Sequence, residues 1–345
     1  MALLGLRSST LCIALIALVT VALLYRLLAA LGTPGGGPPL ASPPAGHREL
    51  DLRSVLSVAL LAAERGGARV AAVREASGVH ARSKGKTREG AEELLTPGDL
   101  ASHRAMTAAF HHALPGVKVI SEETDNTDVE DAEWDGSINH EVLERIPHPQ
   151  PALQKALTVW LDPLDATQEY TDNLVKYVTT MVCVAINGKP VIGVIHKPFL
   201  KLTVWGFVGR GHSANVQQRH AGHSPHESPV FIVSRSHAGN VARQAHAAFG
   251  NKSVIVPAGG AGYKVLSLLD VTGDDSDKAD VYIHTTLIKK WDICAGNAIL
   301  TALGGHMTTL RGEEIVYEGS PKNEGGLLAS ATLDHTLLLK KLSVL

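Results

Sequence analysis

Cysteine is almost missing from this chain: three residues in 345, none of them in a CxxC pair. Cys12 lies in an apolar N-terminal run, Cys183 in a strand-like segment and Cys294 in a helix-like one, so their spacing argues against a disulfide scaffold even in an oxidising compartment. Net charge is missing too, at −2, which removes the case for a polyanion-binding surface. A nucleic-acid polymer is therefore not an expected partner, and a small charged ligand has to be recognised by local groups. No internal repeat and no coiled-coil heptad occurs. What is present, 345 residues with 45% apolar content, can bury one large core or two fused ones.

The run Val159-Trp160-Leu161-Asp162-Pro163-Leu164-Asp165-Ala166-Thr167-Gln168-Glu169 places two carboxylates and a hydroxyl on a turn. Leu157 to Leu161 has the β-branched and aromatic character of a buried strand, and Pro163 predicts its end. Two carboxylates this close repel and raise each other's proton affinity unless a cation lies between them. The spacing therefore asks for a hard divalent ion with oxygen ligands, and magnesium, which commonly joins carboxylates to a substrate phosphate, fits. The competing reading is an Asx-turn in which the aspartates only cap backbone amides.

Two further segments extend the pattern. Val117 to Asp125 reads as a short strand ending on Glu122-Glu123, and Ile288-Lys289-Lys290-Trp291-Asp292-Ile293-Cys294-Ala295-Gly296-Asn297-Ala298 puts an acid at the start of an apolar helix. Taken singly these are a solvated acidic turn and a helix N-cap stabilised by the dipole. Strand-end Glu-Glu, then DPLDAT, then WDICAGN, in that order, resembles the magnesium-dependent, lithium-sensitive phosphatases that include inositol monophosphatases, fructose bisphosphatases and bisphosphate nucleotidases, and the resemblance spans nearly all of residues 48 to 340.

The resemblance implies an α/β fold, a layered αβαβα sandwich. It also implies a cluster of Glu122, Asp162, Asp165 and Asp292, completed by the backbone carbonyl of Leu164, that holds two magnesium ions, with a third in some members. Asp99, which on sequence alone reads as the N-cap of a helix from Thr96-Pro97-Gly98 through Met106 to Phe110, is implied to orient the attacking water together with Thr167. Neither would be a nucleophile, so no phosphoenzyme is expected. Bringing a doubly charged phosphate up to these acids requires bound cations to offset the repulsion.

The C-terminal half bears on which ester is cut. Val233-Ser234-Arg235-Ser236-His237 puts a hydroxyl and an imidazole at a strand end, and Pro257-Ala258-Gly259-Gly260-Ala261-Gly262-Tyr263-Lys264 is a glycine-rich turn opening a helix and followed by a cation. Both resemble the nucleotide contacts of the bisphosphate nucleotidases, in which Ser234, His237, Gly260 and Lys264 would hold the AMP portion. Ala166, where glycine is frequent in inositol phosphatases, points the same way. The implied activity is removal of the 3′-phosphate from adenosine 3′,5′-bisphosphate, a by-product of Golgi sulfotransferases. Alternatives are an inositol or inositol polyphosphate phosphatase and, outside enzymes, a catalytically silent lumenal protein that only senses a ligand.

At the N-terminus, residues 11–31 form an apolar stretch interrupted by Arg26, long enough to cross a bilayer if Arg26 snorkels. A signal anchor is expected, with a cleaved signal peptide as the competing reading. Residues 1–10 would be cytosolic, and the Gly/Pro-rich stretch 32–47 a linker. The sequon Asn251-Lys252-Ser253, if glycosylated, would place the catalytic part in the lumen, as in a type II single-pass Golgi protein.

Residues 48–208 are expected as a subdomain carrying the metal site, 209–229 as a polar loop, and 230–345 as a second subdomain with the nucleotide contacts. Asp51 should cap a long helix, and Arg82 to Arg88 reads as a solvated basic loop whose charges raise the local phosphate concentration. Asn187-Gly188 predicts a hairpin between Tyr177–Ile186 and Pro190–His196, followed by a strand over Leu202 to Phe207. His212, His220, His223 and His226 lack metal-ligand spacing and read as loop residues. From Val230 onward strands and helices alternate: Val230–Val233, a helix over His237–Phe249, Ser253–Val256, a helix over Tyr263–Leu269, Asp280–Ile283 and a helix over Asp292–Leu303. The oligomeric state is open, a homo-oligomer included.

Overall fold

Asp51 ends a three-residue strand, Glu49–Asp51, paired with Pro151–Leu153, and its side chain accepts the Arg53 N–H at 3.0 Å to cap helix α1 (Leu52–Ser77), as its sequence predicts. The computed structural model describes residues 48–342 apart from 87–89, 91, 126–133, 220–228 and 236–239. The expected anchor and linker, His237, and the histidines at 220, 223 and 226 lie outside the described residues. Among those described, no helix is long and apolar enough to cross a membrane.

Of the loop expected over Arg82 to Arg88, the described part departs from expectation. Arg82–Lys86 is strand β1, paired antiparallel with β2 (Glu92–Leu95). The register shifts between Ser83 and Gly85, so Lys84 is the extra residue of a bulge, free of the ladder, while Ser83 and Lys86 both meet Glu92. The second helix, α2 (Pro97–Ala113), also starts differently from expectation. Thr96 is the N-cap, accepting Gly98 N–H at 3.1 Å, while Asp99 stands at the third helical position and accepts the Thr96 N–H at 2.7 Å, closing a capping box.

A six-stranded sheet follows: β3 (Lys118–Ser121), β4 (Leu157–Asp165), β5 (Thr179–Ile186), β6 (Lys189–Lys197), β7 (Leu202–Phe207) and β8 (Gly211–His212), in spatial order β8-β7-β6-β5-β4-β3. Only β3 and β4 run parallel. Asn187 and Gly188, at φ 48° and 76°, make the β5–β6 turn in the doubly left-handed form expected of Asn-Gly. Pro163 does not stop β4. The strand continues to Asp165 through an irregularity between Asp162 and Asp165, where the missing N–H of Pro163 costs the ladder nothing. The polar segment 209–229 is not wholly loop either, since Val216–Gln218 pairs with Leu269–Val271.

Helix α3 (Thr167–Thr171) leads off β4. The second sheet holds β9 (Val230–Ser234), β10 (Val254–Ala258), β11 (Val281–His284), β12 (His306–Thr308) and β13 (Leu327–Ser330), in order β10-β9-β11-β13-β12, with β9 parallel to both its neighbours. Between and around these strands run α4 (Val241–Phe249), α5 (Ala261–Leu266), α6 (Lys290–Ala302) and α7 (His335–Leu342). Helix α4 begins later than expected at His237, and α5 both starts and ends earlier than the expected Tyr263–Leu269 helix.

Side-chain alternation turns these elements into five layers. Val182 and Val184 of β5 face α1 and α2 through Leu56, Ala59 and Met106. Met181, Cys183 and Ala185 of the same strand face α5 and α6 and, beyond them, Tyr282 and Leu327 of the second sheet. The far side of that sheet, Phe231, Val233 and Ile283, is covered by α4 and α7 through Val241, Ala245 and Leu338. Both faces of each sheet are thus buried, which is why their strands are almost continuously apolar. This is the αβαβα sandwich. One feature corrects the cysteine expectation: Cys183 on β5 and Cys294 on α6 form a disulfide, with Cα atoms 5.6 Å apart. A separation of 111 residues hides the pair from any local motif.

Candidate metal and phosphate site

The ends of β3 and β4 and the start of α6 deliver three acids to one place. Glu122 follows β3 directly, its N–H donating to the Leu161 carbonyl at 3.1 Å, so the parallel pairing that aligns the two strands also aligns Glu122 with Asp162. Asp292 sits at the third position of α6, where its Oδ2 accepts the Lys289 N–H at 3.0 Å. Carboxylate oxygens of Glu122, Asp162 and Asp292 lie within 4.8 Å of one another. The helix-cap reading of Asp292 and the metal reading are compatible, because one carboxylate oxygen serves the backbone and the other is left for the cluster.

Burial, reinforced by mutual repulsion, drives the proton affinity of this group up. Glu122 is pushed to about 7, first by desolvation and against the pull of Lys84. Asp162 and Asp292 rise well above the carboxylate range by desolvation and by facing Glu122 and Asp165. Asp162 Oδ1 is buried with no hydrogen-bond partner, an expensive state for an acceptor unless an ion takes it. An all-oxygen set with an orphaned buried acceptor fits a hard divalent cation. Lys84, from β1, reaches Glu122 Oε1 at 3.0 Å and Glu123 Oε1 at 2.5 Å, and although burial lowers its proton affinity these two acids hold it above the usual lysine range. It is a site residue that a loop reading of 82–88 misses, and the bulge that frees Lys84 from the ladder leaves no local pattern to mark it.

Asp165 has a different position. Its Oδ1 accepts Ala261 N–H at 3.0 Å, and its Oδ2 accepts Gly262 N–H at 2.8 Å and the Thr179 hydroxyl at 3.0 Å. It therefore ties the metal turn to the glycine-rich turn at the start of α5. Gly260 at that turn has φ +62°, and a Cβ there would stand 2.7 Å from Tyr177 O and 3.0 Å from Asp165 Oδ2, so only glycine fits. Beside Asp165, Ala166 takes φ 70°, a conformation that glycine holds without steric cost. Leu164 is buried, and its carbonyl stands 3.1 Å from Thr167 Oγ1, an alternative acceptor for the one hydroxyl proton that also faces Asp99.

Thr167 Oγ1 also lies 3.2 Å from Asp99 Oδ1, bringing together the two residues implied to handle water. The other oxygen of Asp99 is occupied by the Thr96 N–H and by the Thr96 hydroxyl at 2.5 Å. Desolvation raises Asp99 to about 6 despite these bonds. On the C-terminal side, Ser234 ends β9 in register with Ala258, immediately before Gly259 and Gly260. Lys264 is 3% exposed and donates to the carbonyls of Gly260 and, at 3.4 Å, Ala258; burial lowers it to about 8 against the pull of Asp165, Glu169 and Asp292. Asn251 is exposed on the turn before β10.

Carboxylates gathered at strand and helix ends of a five-layer α/β sandwich, next to a hydroxyl–carboxylate pair, define a metal-dependent phosphatase. Comparison with known proteins assigns the family. Residues 51–344 match the inositol monophosphatase family, and the chain belongs to it. It is 53% identical to inositol monophosphatase 3 of Xenopus laevis over 99% of this chain and 97% of that protein. It is 50% identical to the Golgi-resident adenosine 3′,5′-bisphosphate 3′-phosphatase of Homo sapiens over 99% of this chain and 98% of that one. Among solved structures, the inositol monophosphatase from Anabaena superposes with a TM-score of 0.59 at 18% identity, covering 85% of this chain and 97% of that chain, which speaks to the fold.

Proposed function

We propose that the chain is a magnesium-dependent phosphomonoesterase that converts adenosine 3′,5′-bisphosphate to AMP and phosphate in the Golgi lumen, clearing the by-product of sulfotransferases. The observation that carries the chemistry is the convergence of Glu122, Asp162 and Asp292 within 4.8 Å around an acceptor with no partner. With Asp165 and the Leu164 carbonyl, these residues would hold two magnesium ions, and a third more weakly. When bound, the metal supplies positive charge that offsets the phosphate dianion, lowers the pKa of water and makes the site lithium-sensitive. The chain's own contribution is positional. Thr167 and Asp99 hold the attacking water in line, and Asp99 accepts its proton through the threonine hydroxyl. Ser234, His237, Gly260 and Lys264 hold the AMP portion, a reading supported by the place of Ser234 and Gly260 at the carboxyl ends of parallel strands β9 and β10.

A signal anchor over residues 11–31 fastens the enzyme to the Golgi membrane as a type II protein, with a glycan on Asn251. Exposure of Asn251 on a turn supports that glycan. Endoglycosidase should increase the mobility of the wild type and not of Asn251→Gln. The full set Asp99, Glu122, Asp162, Asp165, Thr167 and Asp292 weighs against a catalytically silent sensor. Because one similar relative bears the name inositol monophosphatase 3, the decisive measurement is phosphate release in magnesium from adenosine 3′,5′-bisphosphate against inositol 1-phosphate. A higher kcat/KM for the nucleotide is expected; the reverse order would assign the inositol ester.

A further inference from the structure

The cation best placed to meet a ligand on the nucleotide side is one to which neither motif nor family resemblance gave a role. Arg235 follows β9 directly, and its backbone N–H donates to Ala258 O at 3.1 Å, extending the parallel pairing by one bond. Its main chain is therefore fixed beside Gly259 and Gly260. The guanidinium is 37% exposed and faces two acids without a close bond to either: Nη1 is 3.6 Å from Glu169 Oε1 and 4.0 Å from Asp172 Oδ2. Lys264, by contrast, is buried and turned onto the carbonyls of its own turn.

Glu169 explains why Arg235 stands there. It projects from α3, just past the metal turn, and is 3% exposed. Its Oε1 is buried with no hydrogen-bond partner. A Cβ on Gly259 would lie 2.4 Å from the Glu169 carboxyl carbon, so the glycine turn is shaped to seat this carboxylate. The chain of contacts runs from Asp165 to the glycine turn, from the turn to Glu169, and from Glu169 to Arg235.

We propose that Arg235 is a specificity-determining residue that contacts the phosphate left uncleaved on the nucleotide, and that Glu169 is the positioning residue that aims it. This inference rests on the nucleotidase reading above. A guanidinium presents parallel N–H donors that match two oxygens of a phosphate, and one held near carboxylates without tight bonds gives up little to turn onto a dianion. The cleaved phosphate has the metal-binding acids; the retained one needs a fixed cation, and Arg235 is the partly exposed one at this turn.

The test compares the purified full chain with Arg235→Ala, Arg235→Lys and Glu169→Gln on two substrates, adenosine 3′,5′-bisphosphate and adenosine 3′-monophosphate, which lacks the second phosphate. Arg235→Ala should shrink the preference in kcat/KM for the bisphosphate about 10- to 100-fold, chiefly through KM. Arg235→Lys should recover part of that preference, since charge returns without the fork. Glu169→Gln should raise KM for the bisphosphate several-fold while moving kcat little. If Arg235→Ala lowers both substrates equally, or leaves the preference intact, the inference fails while the nucleotidase reading stands. If the wild type shows no preference for the bisphosphate and favours inositol 1-phosphate, both fail.

Discussion

Gly193→Ala, a change of one methyl group far from the acids in sequence, is expected to damage the site. Gly193 of β6 pairs with Cys183 of β5 and faces α6, where a Cβ would stand 2.1 Å from the backbone oxygen of Ala295. Real Cβ atoms essentially never come within 3.0 Å, so strand and helix must separate by roughly an ångström. The obstacle is a helix backbone, which no rotamer change relieves. Cys294 beside Ala295 is bonded to Cys183, so the helix is tethered at the very point from which it has to retreat. Overpacking costs about 1–3 kcal/mol, and a backbone obstacle argues for the upper half. For a domain of this size, with about 2.1 cal/mol/K of unfolding entropy per residue, that corresponds to a fall in Tm of roughly 3–5 °C. Asp292 lies on the same helix three residues before Ala295, and its displacement opens the carboxylate cluster. Calorimetry should show the lower Tm, and a magnesium titration of phosphate release a higher half-saturating concentration. A Tm within a degree of wild type together with an unchanged magnesium requirement would refute the claim that this close approach sets the site.

The remaining predictions concern charge. Asp162→Asn should lower phosphate release by about three orders of magnitude or more, yet raise Tm in chelator, because one of several repelling buried acids is gone; a metal-free Tm below wild type would contradict it. Lys84→Met should lower the magnesium concentration needed for half activity and raise KM for substrate, since the cation competes with metal at Glu122 while attracting phosphate; both quantities moving the same way would count against that geometry. His196 has a sign fixed by its surroundings. The Thr203 hydroxyl donates to Glu64 at 2.8 Å and so must accept from His196 Nδ1 at 2.9 Å, and burial pushes the imidazole down to about 4. The unfolded chain, with its histidine near 6.5, then binds more protons between pH 6.5 and 4. Stability is full above that window and is lost as pH falls through it, by at most about 3 kcal/mol. Tm against pH should be flatter over this range in His196→Gln than in wild type.

The periodic part of the fold was legible in the chain. Asp51 as a cap, the Asn187-Gly188 hairpin, the strand over Leu202–Phe207 and the alternation after Val230 follow from local rules, and each is present. Local rules also misled. Asp99 reads as a cap because acids begin helices, but Thr96 takes that place once Asp99 is buried against Thr167. Pro163 reads as a strand end because it lacks an N–H, but an irregular edge of β4 tolerates it. The basic stretch from Arg82 reads as solvated because nothing local binds it, whereas Glu122 and Glu123, nearly forty residues on, recruit Lys84.

By itself, then, the sequence determined which residues are able to do chemistry: the carboxylates after strands, the threonine on the turn and the glycines where backbone must come close. Their types, turns and order are local properties written residue by residue. The tertiary structure decided which of them meet. Parallel pairing of β3 with β4 aligns Glu122 with Asp162, packing of α6 against Gly193 brings in Asp292, and the glycine turn seats both Asp165 and Glu169. It also joined Cys183 to Cys294 across 111 residues and placed Arg235 opposite Glu169. Such pairings depend on how two buried sheets stack through a shared helical layer, and the free energy of that stacking belongs to the whole core rather than to any segment of the chain.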